Sequence, residues 1–207
     1  IIHNSLIERF TAEAVKKASS IEMAYGVDMR AEVEKFLSCD FNDLKPGTMK
    51  MNSLISEKAA KEVEAKVNYT VKQGAKVLCG GHRKGAFYEP TVLGGVTPDM
   101  DIAKDMEIFG PVIPIIGFDT PEEAVAIANA SSYGLSGCVY TQDWKLGMKM
   151  AQEIQSGGVV VNGVGTYRNM MQPFGGQKMS GVGREGFWTL DELTEKKVIV
   201  LKGFLNN

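Results

Sequence analysis

The sequence predicts an α/β protein with three layers, in which helices cover both faces of a mainly parallel β-sheet. Apolar runs at residues 112–118 and 157–162, the first rich in β-branched residues, are typical of buried strands. Between them, helical patterns at about 121–132 and 143–155 flank a strand-like segment at 137–141. A β-α-β-α-β order with connections of this length implies parallel strands joined by right-handed crossovers.

Helix start signals support this assignment. The segment from Thr120 to Glu123 combines an N-cap, a proline at the first helical position and a capping carboxylate. Ser5 and Glu8 form a capping-box pattern near the start of the chain. Ser56 is predicted to cap a further helix, whose inner face carries an apolar stripe at helical spacing: Ala60, Val63, Val67 and Val71.

Composition and charge limit the classes of function. The chain has 207 residues, of which 44% are hydrophobic and 23% charged, so we expect one domain with a sizeable core. The net charge of −2 favours neither a nucleic-acid partner nor an anionic membrane. No apolar run reaches the roughly 18–20 residues that span a bilayer, and no signal peptide is recognisable. Three cysteines without a CxxC pair suit a reducing compartment, so we expect a cytoplasmic protein.

A stiff loop before the first of these buried strands carries distinctive side chains. Its residues 107–112 read EIFGPV, and Pro111 restricts its own φ and the conformation of Gly110. On such a loop, the carboxylate of Glu107 and the ring of Phe109 could hold a ribose hydroxyl and stack on a flat heterocycle. The alternative stays open that Glu107 is only solvated and Phe109 only caps the core.

Four segments follow one another along the chain: YEPTVL at 88–93, EIFGPV at 107–112, GVVVN at 158–162 and PFGGQKMSGVGRE at 173–185. In sequence and order they resemble the signature segments of NAD(P)-dependent aldehyde dehydrogenases. The resemblance covers roughly residues 52–202. It implies the α/β three-layer catalytic domain of that family, incomplete in this chain relative to a whole family subunit.

The resemblance also implies an organisation of the chain. Residues 1–195 would form part of the catalytic domain, and residues 196–207 would form a C-terminal oligomerisation strand and tail. The stretch 22–50 is longer than the family's usual connection and is interpreted as an insertion or an irregular segment, with a short amphipathic helix around Phe36. The family's nucleophilic cysteine, general base and dinucleotide-binding domain are expected upstream, so the chain is expected to be less than half of a subunit.

By the same resemblance, four residues are candidate site residues. Glu107 would hold the nicotinamide ribose, and Phe109 would pack beside the nicotinamide ring. Phe174 would line the aldehyde tunnel, and Arg168, in a variable loop, would face the substrate and could pair with its carboxylate. Two alternatives stay open: Phe174 is a plain core residue, and Arg168 is a solvated surface residue. No residue of the chain is assigned a catalytic or metal-binding role.

The cysteines do not match the family's nucleophile. None of Cys39, Cys79 and Cys138 stands in a G-Q-x-C-type context. Cys79 and Cys138 fall in predicted strands and are expected to be buried, whereas Cys39 is the candidate for exposure.

Two hypotheses for function follow. The first is part of an NAD(P)-dependent aldehyde dehydrogenase, an oxidoreductase that converts an aldehyde to a carboxylic acid through a cysteine thiohemiacetal. On this hypothesis the chain alone is expected to be inactive and to bind no NAD or NADP. The second is a catalytically inactive, stand-alone binding or assembly module derived from that family. In both, an apolar strand at 197–201 is expected to support a homo-oligomer, unless it is an ordinary edge strand of its own chain.

Overall fold

The computed structural model describes most of the 207-residue chain: residues 1–38, 50–187 and 189–203. The chain divides into two compact units, unit 1 at Ile1–Ser131 and unit 2 at Ser132–Asn207. A single domain over 1–195 is expected from the sequence, in which no feature marks this division. Each unit has its own sheets, and each is described by itself.

Unit 1 is built on a four-stranded sheet. Its elements, in chain order, are β1 (Ile2–His3), α1 (Asn4–Ser19), α2 (Met29–Ser38), α3 (Glu57–Lys72), β2 (Lys76–Cys79), β3 (Arg83–Lys84), β4 (Phe87–Tyr88), β5 (Thr91–Val96), β6 (Val112–Phe118) and α4 (Pro121–Asn129). The sheet has the order β1-β6-β5-β2. Strand β6 runs parallel to both β1 and β5, and β2 is antiparallel to β5. Strands β3 and β4 form a separate antiparallel pair.

Unit 1 has three layers because the side chains of its central strands alternate between two faces. On one face, Val92 of β5 and Ile115 of β6 pack against Ala18 of α1. On the other face, Leu93 and Ile116 belong to a larger cluster with buried residues of α3 and α4: Val63, Val67 and Ile127. The predicted α/β class, with a mainly parallel sheet between helical layers, is confirmed.

The helix starts follow local signals at two of the predicted caps. The Ser56 hydroxyl caps α3 and the Thr120 hydroxyl caps α4, each by accepting from a backbone N–H three residues further on, at 3.1 and 3.2 Å. The capping box predicted at Ser5 is wrong. Because α1 already begins at Asn4, the His3 side chain takes the cap position and accepts from the backbone N–H of Ser5 at 3.2 Å.

The inward face of α3 differs by one position from the predicted stripe. Val63 and Val67 are buried as predicted, but Val71 is 39% exposed. Thr70 is buried in its place, and its hydroxyl donates to the backbone carbonyl of Lys66 at 2.9 Å. An α-helix has 3.6 residues per turn, so residues spaced by four at every step rotate gradually away from the sheet. A spacing of three, as from Val67 to Thr70, returns the next side chain to the buried face.

The stretch 22–50 contains the short helix that the sequence predicts, since α2 spans Met29–Ser38. The two ends of the stretch are joined by backbone hydrogen bonds, from Met51 to Glu22 at 2.8 Å and from Ala24 to Met51 at 2.9 Å. Residues 39–49, and with them Cys39, lie outside the described residues.

Unit 2 contains a parallel β-α-β motif. Its elements, in chain order, are β7 (Tyr133–Gly134), β8 (Ser136–Val139), α5 (Trp144–Glu153), β9 (Gly158–Val161), β10 (Gln177–Lys178) and α6 (Thr189–Glu192). As predicted, β8 and β9 are parallel and α5 connects them, while β7 pairs antiparallel with β10. The Asp143 carboxylate caps α5 by accepting from two backbone N–H groups.

Two predictions of burial are wrong: one for strand β9 and one for the two cysteines that lie in strands. Strand β9 is predicted to be covered on both faces, yet Val159 and Val161 are only half-buried and Gly158 is exposed. Cys138 of β8 is exposed rather than buried, and Cys79 of β2 is half-buried. Side chains of β8 and β9 are incompletely buried because, among the described residues of unit 2, these strands form a sheet of only two strands. Much of their surface is therefore uncovered.

The C-terminal segment also departs from the prediction. Residues 195–203 form no strand, although a strand is predicted at 197–201. Its four apolar side chains are all more than 70% exposed: Val198, Ile199, Val200 and Leu201. A β-strand needs a partner for its backbone hydrogen bonds, and the described part of the chain pairs no strand with this segment. Across the residues that the structure describes, every helix is too short or too polar to span a lipid bilayer.

Candidate functional site

The loop at residues 107–112 of unit 1 exposes the two side chains singled out in the sequence. Phe109 is 80% exposed, so its ring does not cap the core of the unit. Its φ of 55° lies in the left-handed region, which non-glycine residues rarely adopt and which recurs at functional sites. Glu107 is also exposed, two residues away. The loop therefore presents a carboxylate and an aromatic ring together, in a conformation that needs support from its surroundings.

Helix α3 and strand β5 provide that support. The ammonium of Lys66 donates to the backbone carbonyl of Glu107 at 2.6 Å. Gly110 lies so close to Val63 that an added Cβ would come within 2.7 Å of that side chain. On the far side of the loop, the backbone N–H of Thr91 donates to the carbonyl of Pro111 at 2.8 Å. The backbone on both sides of Phe109 is thus held against rigid elements.

A cavity of about 500 Å³ in unit 2 contains both residues proposed to line a substrate path. Strand β9 forms one wall, through Val159 to Val161. The other wall comes from the loop that follows, including Tyr167, Arg168 and Phe174. This cavity combines an apolar floor, two aromatic rings and one guanidinium. It can hold a small molecule with an apolar body and an anionic end.

The Arg168 side chain is 56% exposed, and its guanidinium also contacts two neighbouring side chains. Its guanidinium carbon lies 3.5 Å from the centre of the Phe174 ring. One guanidinium nitrogen lies 3.5 Å from the carboxylate of Glu185. Two backbone hydrogen bonds between Phe174 and Glu185, of 2.6 and 3.0 Å, keep these two residues side by side. Phe174 is half-buried, with its ring shared between the cavity and Arg168.

The glycine-rich segment shapes this cavity through close backbone approach. An added Cβ at Gly157, at the start of the cavity wall, would overlap the carbonyl oxygen of Gly175. The Arg184 guanidinium donates to that same carbonyl and, at 3.5 Å, to the carbonyl of Gly157. Arg184 therefore has a structural role, with backbone carbonyls as its partners. In the part of the chain that the structure describes, no group of acidic, histidine or cysteine side chains could hold a metal ion.

Comparison with known proteins identifies the family. The sequence model of the aldehyde dehydrogenase family matches residues 1–199. The chain belongs to the aldehyde dehydrogenase family. Among its relatives is the mitochondrial succinate-semialdehyde dehydrogenase of Rattus norvegicus, which is 41% identical over 206 residues, covering 98% of this chain and 35% of that protein.

Solved aldehyde dehydrogenase structures share the fold of this family member. Aldehyde dehydrogenase 21 from Physcomitrella patens, in complex with the reaction product succinate, has a TM-score of 0.79 at 32% identity, over 99% of this chain and 39% of that one. Glyceraldehyde-3-phosphate dehydrogenase from Methanocaldococcus jannaschii, complexed with NADP, has a TM-score of 0.71 at 33% identity, over 89% and 36%. The chain thus spans a little over a third of the length of these proteins.

Two residues of this aldehyde dehydrogenase chain were missed by sequence reasoning. Asn162 directly follows β9 at a left-handed φ of 56°, and its side-chain amide exchanges two hydrogen bonds with the backbone of Thr141, at 2.8 and 2.9 Å. An asparagine directly after a strand is a usable signal for that conformation. Lys66 carried no signal, because it lies 41 residues from its partner in sequence.

Proposed function

We propose that this chain is part of the catalytic domain of an NAD(P)-dependent aldehyde dehydrogenase that oxidises an aldehyde to a carboxylic acid. The observation that carries the proposal is the loop at 107–112. It matches the family's signature and exposes Phe109 in a left-handed conformation beside an exposed Glu107. An exposed ring held in a costly backbone conformation supports a ligand-binding role for this loop.

The loop fits the part of NAD(P) that the family would place there. A carboxylate only accepts hydrogen bonds, so Glu107 would hold a ribose hydroxyl, which donates. The exposed face of Phe109 would pack beside the flat nicotinamide ring. NAD or NADP, when bound, supplies the hydride acceptor for the oxidation. The role of this chain is to hold and orient, since a fixed approach of the reacting groups lowers the barrier.

The nucleophile in this proposal is a cysteine thiolate in the rest of the enzyme. It would add to the aldehyde to form a thiohemiacetal, and an activated water would later release the acid. None of Cys39, Cys79 and Cys138 stands in the family's sequence context for that residue. The chain therefore contributes surfaces for the cofactor and the aldehyde to a reaction centred on residues of the remaining protein.

The cavity of unit 2 supports an aldehyde with an anionic end as substrate. Arg168 lines the cavity, and its guanidinium lies over the ring of Phe174, which keeps it close to the apolar wall. A guanidinium forms strong, often bidentate, hydrogen bonds with carboxylates and phosphates. The related enzymes named above act on succinate semialdehyde and glyceraldehyde 3-phosphate, which both carry such a group.

Glu107→Gln in a full-length enzyme that contains this chain is expected to slow hydride transfer on the order of tenfold, because a hydrogen bond to a charged acceptor is replaced by a neutral one. Single-turnover production of NAD(P)H measures this rate. Glu8→Gln, which changes an exposed carboxylate of α1, is the control and should leave the rate unchanged. Unaltered single-turnover kinetics in Glu107→Gln would show that Glu107 does not hold the cofactor and is only a solvated surface residue.

We also propose that the chain forms a homo-oligomer through the apolar segment at 197–201, within the C-terminal residues 196–207. Four neighbouring apolar side chains at 198–201 are exposed, and an apolar segment of this kind could pair with the edge of another sheet. This surface is also what the alternative function, an inactive assembly module, would use.

Truncation after Glu195 is expected to reduce the oligomer to a smaller species in sedimentation velocity, since both the apolar side chains and the pairing backbone are removed. A chain that lacks only residues 204–207 is the control and should sediment as the complete chain does. If truncation after Glu195 leaves the association state as it is, residues 196–207 take no part in the interface.

A further inference from the structure

Helix α3 contacts the loop at 107–112 on both sides of Phe109. Before Phe109, Lys66 donates a charge-assisted hydrogen bond to the Glu107 carbonyl at 2.6 Å. After Phe109, Gly110 packs against the side chain of Val63. Residues three apart in a helix lie on the same face, so Val63 and Lys66 form one contact surface for the loop.

The helix that carries Lys66 is firmly placed. Val63 and Val67 are 1% and 2% exposed in the core of unit 1, and Thr70 is fully buried one turn further on. Lys66 is itself half-buried, so its ammonium extends from a fixed backbone over a limited range. The Lys66 side chain therefore links the Glu107 carbonyl to the core of the unit.

Other lysines of α3 behave differently. Lys58 lies 4.0 Å from Glu62 and Lys61 lies 3.0 Å from Glu57, so both make exposed ion pairs within their own helix. Exposed pairs of this kind add little to the stability of the helix. Lys66 instead reaches a backbone carbonyl 41 residues away. Its contact is tertiary and directed at the loop.

We propose that Lys66 is a positioning residue, which fixes the loop at 107–112 so that Glu107 and Phe109 are presented to the cofactor. The proposal rests on the function proposed above for Glu107 and Phe109. With Lys66 bound, the peptide between Glu107 and Ile108 keeps one orientation. Phe109 then retains its left-handed φ between two anchored neighbours. Without Lys66, the first anchor is lost and the second, at Gly110, remains.

Glutamyl endopeptidase tests this contact directly. The protease cleaves after exposed glutamates, and cleavage after Glu107 requires the same carbonyl oxygen that Lys66 binds. Limited cleavage of the native chain reports how often that carbonyl is released, because proteolysis tracks the population of the open form. In Lys66→Met, cleavage between Glu107 and Ile108 is expected to be about tenfold faster, which corresponds to about 1.4 kcal/mol.

Three controls separate a positioning role from a general loss of structure. Cleavage after Glu195, in the exposed C-terminal segment, should keep its rate in every variant. Lys58→Met removes a lysine of the same helix and should cleave as the unchanged chain does. Lys66→Arg keeps a charged donor and should stay closer to the unchanged chain than Lys66→Met. Equal rates after Glu107 in the unchanged chain and Lys66→Met, or equal acceleration in Lys66→Met and Lys66→Arg, would overturn the proposal.

Kinetic measurements distinguish a failure of the proposed cofactor role of the loop from a failure of the proposed role of Lys66. In the full-length enzyme, Lys66→Met is expected to lower the single-turnover rate of hydride transfer and to leave the KM for the aldehyde unchanged. Faster cleavage in Lys66→Met, together with unaltered kinetics in Glu107→Gln, would reject the cofactor role of the loop while Lys66 still orders it. Unchanged cleavage rejects the role of Lys66 whatever the kinetics of Glu107→Gln.

Discussion

No NAD(P)H should form when the 207-residue chain is incubated with NAD or NADP and a panel of aldehydes. The chain spans little more than a third of the length of its relatives, and the family's nucleophile, base and dinucleotide-binding domain are expected in the remainder. Orientation of the reacting groups alone supplies roughly 7–11 kcal/mol of a barrier. A thiol of this chain would therefore lack both an oriented hydride acceptor and a base. The absorbance of NAD(P)H, followed over time, measures the outcome.

The cysteines define the controls for this experiment. Cys138 is exposed on β8, so it is an accessible thiol, whereas Cys79 is half-buried with its sulfur 4.0 Å from the carbonyl of Val15. Cys39 lies outside the described residues and has to be tested as well. Steady NAD(P)H formation that either Cys138→Ala or Cys39→Ala abolishes would contradict the prediction and place a working nucleophile in this chain.

Leu93→Ala is expected to lower the free energy of unfolding by about 2–5 kcal/mol, the range for deleting a buried leucine side chain. Leu93 is fully buried in the main cluster of unit 1, together with Val63 and Ile116. Its removal leaves a cavity between the sheet and α3, which the buried backbone of β5 cannot fill by relaxing. Urea unfolding followed by far-ultraviolet circular dichroism measures the loss.

Leu78→Ala is the matched control. Leu78 lies on β2, the neighbour of β5 in the sheet, but it is 39% exposed. Its truncation should cost about 1 kcal/mol, because less apolar surface is returned to water and no closed cavity forms. Similar losses for the two variants would show that the cluster around Leu93 is not the part of the fold that limits stability.

Local signals in the sequence predicted much of the fold. The strand predicted at 112–118 has the predicted bounds, although Ile113 is 45% exposed, and the helices capped by Ser56 and Thr120 begin where their caps require. These signals act over three to seven residues. A capping hydroxyl accepts a hydrogen bond from an N–H of the first helical turn, and an apolar run favours a buried strand. A capping signal in the sequence fails where a neighbouring element makes the helix begin at another residue. Strand β1 brings the chain to residue 3, so His3 rather than Ser5 caps α1.

Burial and contacts between distant residues were decided by the tertiary structure. The sequence determined the family, the α/β class and the loop that carries Glu107 and Phe109. It could not determine that the Phe109 ring is exposed, that Arg168 stacks on Phe174, or that Lys66 donates to the Glu107 carbonyl. Exposure depends on which surfaces cover a side chain, and a hydrogen bond depends on where a distant helix lies. Both follow from the packing of elements far apart in the sequence, which local patterns do not encode.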